Sequence, residues 1–271
     1  MRSSATIKPL TITIDGPAGV GKSTAAQQLA AHLGLMYLDT GATYRVLAYA
    51  ACQAGLDPRA DVKPLAMLAR RLPLQLVPGA SGRVRVVLRG TDITKAIRTE
   101  TVSEAAAQLS RHPQVRRVMV QRQRAWSRAR GVVAEGRDTG SVVFPRARYK
   151  FFLDANPIVR ARRRQRELFQ LSGRRLPIQR IRQQLHVRDG IDRTRAVGPL
   201  VKPAGAVEVD TSRLTAPQVV RLMLRHITRN HSTSRAGPGT AHPGHPRRAV
   251  RSASSAPVGQ GLCAVPPAHG C

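Results

Sequence analysis

The sequence predicts an α/β fold in which a parallel sheet is flanked by helices, and three observations predict it. Short apolar runs alternate with longer stretches of helical period along most of the chain. The runs are nearly continuous in apolar character, as in strands covered on both faces. The first of them, Thr11–Asp15, passes directly into a glycine-rich turn and then a helix.

That turn reads Gly16-Pro17-Ala18-Gly19-Val20-Gly21-Lys22-Ser23-Thr24. Gly16, Gly19 and Gly21 can adopt backbone angles closed to other residues and bring the main chain close to an anion. The loop N–H groups then face a polyphosphate, with the positive end of the helix Lys22–Leu33 behind them. Lys22 reaches the outer phosphates and the Ser23 hydroxyl ligates a magnesium ion. The strand–turn–helix context satisfies all three fixed elements of G-x-x-x-x-G-K-[ST], so a nucleoside triphosphate, ATP, is the expected ligand of Gly16 through Thr24.

The remaining elements follow in order. A second strand is expected at Leu35–Leu38 and a helix at Ala42–Ala54. The helix Val62–Arg71 precedes two strand-like runs, Leu72–Val77 and Arg83–Arg89, around Pro78-Gly79-Ala80-Ser81-Gly82, which reads as a hairpin. Residues 62–97 therefore form an expected insertion, a small antiparallel lobe off the main sheet. Helices at Thr99–Leu109 and Gln114–Arg128 return to strands at Gly131–Ala134 and Tyr149–Leu153. Helices at Pro157–Leu171 and Pro177–Arg188, a strand at Ala206–Val209 and a helix at Ala216–Arg225 complete the pattern. Pro157, Pro177 and Pro217 fall near helix starts, where a missing N–H is harmless. Residues 229–271 hold six Pro, six Gly, five Arg and no acidic residue, and read as a disordered basic tail.

Composition bounds the function. The net charge is +30, with 39 Arg against six Lys, which points toward nucleic acid or toward enzymes that handle polyanions. Aromatic residues are 3% of the chain, too few to stack on unpaired bases. The tail is the place where RNA binding would reside. Cys52, Cys263 and Cys271 form no disulfide framework, and no apolar run approaches a membrane span, so the expected location is the cytoplasm.

The second ligand is read from strand ends. Leu38-Asp39-Thr40-Gly41-Ala42-Thr43-Tyr44-Arg45 and Ala134-Glu135-Gly136-Arg137-Asp138-Thr139-Gly140 each bring an arginine and short oxygen acceptors to the carboxyl edge of the sheet. Arginine pairs bidentately with phosphate, and aspartate or threonine accepts from an exocyclic amine. In Arg188-Asp189-Gly190-Ile191-Asp192-Arg193-Thr194-Arg195, helical spacing places Arg188, Asp192 and Arg195 on one face. A solvated ion-pair ladder explains that last spacing equally well.

Taken in order, these motifs resemble the bacterial cytidylate (CMP) kinases. The resemblance rests on Ile14 through Lys22, Leu38-Asp39-Thr40-Gly41 with Tyr44-Arg45, Ile97-Arg98-Thr99-Glu100, Val115-Arg116 and Gln121-Arg122-Gln123-Arg124. It continues through Glu135-Gly136-Arg137-Asp138, Val143-Phe144-Pro145, Phe152-Leu153-Asp154-Ala155 and Arg188-Asp189 into Asp192-Arg193-Thr194-Arg195-Ala196-Val197, and spans residues 8–228. It implies a P-loop nucleoside monophosphate kinase fold whose insertion is the monophosphate-binding lobe, with a lid at about 156–176. It also implies that Thr40, Arg116, Asp138 and Arg195 read cytosine, with Tyr44 beside them. Arg45 and Arg137 would hold the monophosphate, with Arg188 and Asp192 at sugar and phosphates. Lys22, Arg188 and the lid residues Arg160, Arg163 and Arg164 would act in catalysis. The implied reaction moves the γ-phosphoryl of ATP onto CMP or dCMP with Mg²⁺, in a monomer. Two other readings stay open: a P-loop kinase for another acceptor, such as shikimate, and an RNA-binding protein.

Overall fold

The computed structural model describes residues 10–78, 84–127, 131–173 and 175–233. Its main sheet has five parallel strands: β1 (Thr11–Asp15), β2 (Met36–Asp39), β6 (Val132–Gly136), β7 (Tyr149–Asp154) and β8 (Val207–Asp210), in the order β2-β6-β1-β7-β8. The register pairs Asp15 with Gly136 and Phe152, and Asp39 with Glu135. The carboxyl ends of four strands thus open on one edge, where an open α/β sheet binds ligands.

The helices α1 (Lys22–Leu33) and α8 (Ala216–Thr233) cover one face of the sheet. Ile12, Ile14, Leu29, Phe151, Leu153, Val219 and Met223 form the core there. A second core gathers α2 (Thr40–Gln53), α3 (Val62–Arg71), α4 (Glu100–Leu109) and α5 (Pro113–Trp126) around Leu47, Leu65, Leu109 and Met119. Two further helices, α6 (Pro157–Ser172) and α7 (Ile178–Thr194), form a hairpin that packs Ala161, Ile181 and Leu185 against Ala18 of the glycine-rich loop.

The expected insertion contains a separate antiparallel sheet, β3 (Leu74–Pro78), β4 (Val84–Leu88) and the short β5 (Thr91–Asp92), which the sequence reading lacked. The tip of the hairpin, residues 79–83, lies outside the described residues. Leu72 is buried ahead of β3 rather than in it, because its carbonyl accepts from Arg122 on α5.

Three other boundaries differ from expectation for identifiable reasons. Helix α2 starts at Thr40, since the Asp39 carboxylate caps it by accepting from the Ala42 N–H at 2.7 Å. Helix α7 runs past Arg188 and through Gly190, whose carbonyl accepts from the Thr194 hydroxyl at 2.9 Å. Helix α8 continues beyond Arg225 to Thr233, as the buried side chain of Ile227 extends its apolar stripe. Residues 234–271, most of the expected tail, lie outside the described residues. Among the described residues no helix is long and apolar enough to cross a membrane.

Candidate functional site

The loop after β1 takes the left-handed backbone its glycines were read for. Gly19 and Gly21 have φ of 79° and 92°, and a Cβ on Gly16 would strike the Leu153 carbonyl oxygen at the end of β7. Among the described residues no acceptor takes the N–H of Gly19 or Gly21, so both are free for an anion. Lys22 opens α1 and is buried, with its Nζ donating to the Pro17 carbonyl at 2.6 Å. Burial first, then the cations Arg137 and Arg188, together lower the Lys22 ammonium to about 7 against the pull of Glu135.

Two buried carboxylates brace this loop. Glu135, at the end of β6, accepts from the Ser23 hydroxyl at 2.6 Å and the Tyr37 hydroxyl at 3.2 Å. Burial and then the nearby Asp39 raise its carboxyl above the ordinary value. Asp15 accepts from the Thr139 N–H, the Thr139 hydroxyl and the Gly140 N–H, each at 2.7 Å. It thereby ties β1 to a π-helical turn, Thr139–Val143, that follows β6. The sequence reading gave neither carboxylate a role. Their only signal was an acidic residue closing an apolar strand beside the loop, because the partners lie 98 to 125 positions away.

Each strand-end arginine is held by a carboxylate. Arg45 pairs with Asp39 at 2.8 Å, and Arg137 donates from Nε to Asp192 at 2.7 Å. Asp192 also faces Arg195 at 3.5 Å. Arg116 pairs with Asp138, and Arg195 approaches the other carboxylate oxygen of Asp138 at 3.7 Å. Burial raises the Asp138 carboxyl, against the pull of Arg116 and then Arg195. The Tyr44 ring lies under the Arg116 guanidinium, 5.7 Å from its carbon, and burial pushes the phenol up to about 12. Thr40 is buried, with its hydroxyl on the Glu135 carbonyl at 2.8 Å. Arg188 is lowered to about 10, by burial first and then by Arg137, with Arg45 and Arg164 also close.

Lys22, Arg45, Arg137, Arg164 and Arg188 therefore share one electrostatic neighbourhood with Asp15, Glu135 and Asp192. Four buried polar atoms of the site's residues have no hydrogen-bond partner among the described residues: the Tyr44 hydroxyl, Arg45 Nε, Arg116 Nε and Arg195 Nη2. Such groups point to a polar ligand, since buried polar atoms are ordinarily satisfied.

The three lid arginines do not share one environment. Arg160 donates from Nε to the Ala18 carbonyl at 2.7 Å and pairs with Asp189 on α7, a residue the sequence reading left without a role. Arg163 donates to the carbonyls of Val20 at 3.2 Å and Thr211 at 2.6 Å, and to the Thr211 hydroxyl at 2.9 Å. Arg164 holds Glu167 at 2.9 Å and is the one of the three that acts on Arg188.

A glycine-rich loop at a parallel strand end, a buried lysine and a cluster of arginines across from it define a P-loop phosphotransferase. Residues 12–229 match the family model for cytidylate kinase. The cytidylate kinase of Marinomonas sp. is 43% identical over 212 residues, covering 78% of this chain and 92% of that protein. That of Pelotomaculum thermopropionicum is 44% identical over 217 residues, covering 80% and 95%. This chain belongs to the cytidylate kinase family.

Proposed function

We propose that the protein transfers the γ-phosphoryl group of ATP to the phosphate of CMP or dCMP, giving CDP or dCDP. An oxygen of the acceptor phosphate forms the new bond to the γ-phosphorus, and the bond from that phosphorus to the β–γ bridging oxygen breaks, leaving ADP. The attacking oxygen is already anionic near neutral pH, so no general base is needed. Catalysis then consists of in-line placement and neutralisation of charge on the migrating group.

The N–H groups of the loop from Gly16 to Thr24 and the Lys22 ammonium hold the triphosphate. Arg137, Arg188 and Arg45 hold the monophosphate opposite it, and Arg164 closes over both. Ser23 and Glu135 place two hard oxygens side by side at the loop, a donor set that suits Mg²⁺, which keeps few protein ligands and takes the rest from phosphate and water. Bound there, Mg²⁺ would neutralise phosphate charge.

Base selection rests on Asp138, flanked by Arg116 and Arg195 with Tyr44 and Thr40 beside them. The carboxylate accepts from the amino group of cytosine, and the two guanidiniums donate to its ring nitrogen and carbonyl. Uracil presents a carbonyl where cytosine presents the amine, setting acceptor against acceptor. A buried mismatch of this kind costs about 1–3 kcal/mol, roughly ten- to a hundredfold in selection.

One observation carries the reading. A continuous chain of side chains, Lys22 beside Arg137, Arg137 on Asp192, Asp192 by Arg195 and Arg195 by Asp138, joins the phosphate loop to the base-reading cluster. The test is ADP release from ATP with CMP, dCMP, UMP, AMP and shikimate offered in turn. Turnover highest with the two cytosine nucleotides supports the proposal. Faster turnover with AMP or shikimate overturns it.

A further inference from the structure

The arginines of α6 contact two different things. Arg160 and Arg163 are bound to carbonyl oxygens of the glycine-rich loop itself, Ala18 and Val20, while Arg164 is near Arg188. In a planar trans peptide the C=O and the following N–H point in opposite directions. A carbonyl of Ala18 held toward α6 therefore sends the Gly19 N–H to the other side of the loop, and a carbonyl of Val20 held toward α6 does the same for Gly21. Among the described residues neither N–H has an acceptor, so both are open to a phosphate on that side.

The helix is seated closely enough to impose this. A Cβ on Gly19 would come within 2.9 Å of the Arg160 carbonyl oxygen, so the first turns of α6 lie directly on the loop. Arg160 is only 6% exposed, and its guanidinium is held from behind by Asp189. Arg163 is anchored by Thr211 and by the Leu214 carbonyl at 3.3 Å, in the turn between β8 and α8, and the Thr211 hydroxyl it holds donates to the same Val20 carbonyl at 2.8 Å.

We infer that Arg160 and Arg163 are positioning residues that set the peptide planes of the phosphate loop, that Asp189 locks Arg160 in that role, and that of the three arginines only Arg164 touches the migrating phosphoryl group. This rests on the proposed donor site, and it reassigns two of the three residues that the family resemblance placed over ATP. Asp189 lies on the same helix as Arg188 and Asp192, so the lock also ties the donor loop to the helix that bears the acceptor-side residues.

The test reads the loop before any substrate is added. In ¹³C-labelled, nucleotide-free protein, Arg160→Lys and Asp189→Asn shift the Ala18 carbonyl resonance upfield, as a charge-assisted hydrogen bond is lost. Arg163→Lys does the same at Val20, and Arg164→Lys moves neither. In turnover, Arg160→Lys and Arg163→Lys raise the KM for ATP by about tenfold or more, the loss of one charged hydrogen bond, with a smaller change in kcat. Arg164→Lys lowers kcat and leaves that KM nearly unchanged. Unmoved carbonyl resonances in Arg160→Lys and Arg163→Lys, with the loss confined to kcat, would mean direct phosphate contacts and overturn the inference. Asp189→Asn keeps the Arg160 side chain intact and serves where Arg160→Lys fails to fold. The carbonyl measurement involves no acceptor, so failure of the CMP assignment and failure of this inference are distinct results.

Discussion

The proposed donor side is one stretch of chain, Gly16 to Thr24, whereas the proposed acceptor side draws Thr40, Tyr44 and Arg45 from α2, Arg116 from α5, Arg137 and Asp138 from the end of β6, and Arg188, Asp192 and Arg195 from α7 and its cap. The two sides are also held differently. The donor loop is shaped by positive-φ glycines and by arginines on its outer carbonyls, and it leaves its N–H groups free. The acceptor side is shaped by carboxylates that pair its arginines: Asp39 with Arg45, Asp192 with Arg137, and Asp138 with Arg116. A loop preorganised by backbone tolerates loss of an acceptor contact. A cluster held by mutual ion pairs transmits such a loss to its neighbours, because removing one partner leaves an uncompensated buried charge.

The comparison breaks most completely at Lys22, the one donor residue that faces the acceptor arginines. Lys22→Ala is expected to lower turnover about a hundred- to a thousandfold with every acceptor, as when a preorganised charge at a reacting centre is removed. Near-normal turnover in a steady-state assay would take the loop out of the mechanism.

Asp138→Ala sharpens the contrast from the other side. The preference for CMP over UMP is expected to fall roughly ten- to a hundredfold, while ATP binding, read by calorimetry with a non-hydrolysable analogue, survives. Equal losses for CMP and UMP would assign Asp138 to holding Arg116 and Arg195 in place rather than to reading the base.

A third expectation concerns protons. With its ammonium lowered to about 7, Lys22 is largely neutral in the free protein at pH 8, and a bound triphosphate favours its charged form. ATP binding at pH 8 should then take up close to one proton, and affinity should fall by up to about tenfold per pH unit above 7. Calorimetry in buffers of different ionisation enthalpy measures the uptake, and Lys22→Met should abolish it. Uptake that persists in Lys22→Met would point to another group.

The smallest effect is expected at the C-terminus. The family match ends at residue 229 and α8 at Thr233. A form ending after Thr233 should turn over CMP within about twofold of the full chain, since the family match and every described element lie before that point. Loss of RNA binding in that form, in a filter assay at physiological salt, would give the segment a role of its own.

Much of this was legible in the letters. Helices α1 and α3 and strand β1 stand where the periodicity put them, and for α1 and β1 a local signal sets the bounds: Gly21 before α1, Gly34 after it, and Asp15 closing β1. The end of α7 was legible only in part: the expected helix stopped at Arg188, although the spacing of Arg188, Asp192 and Arg195 was helical, and the pairing of Asp189 and Asp192 with distant arginines holds the longer helix. The π-helical turn after β6 was invisible for the same reason, its anchor Asp15 lying far back along the chain.

By itself the sequence determined the phosphate loop and the order of strands and helices, because left-handed glycine turns, caps and hydrophobic period act over a few residues. The packing of α6 and α7 decided which arginines face the phosphates and which hold the loop. Arg160, Arg163 and Arg164 are alike in charge, and only the partners that the fold brings to each can tell them apart.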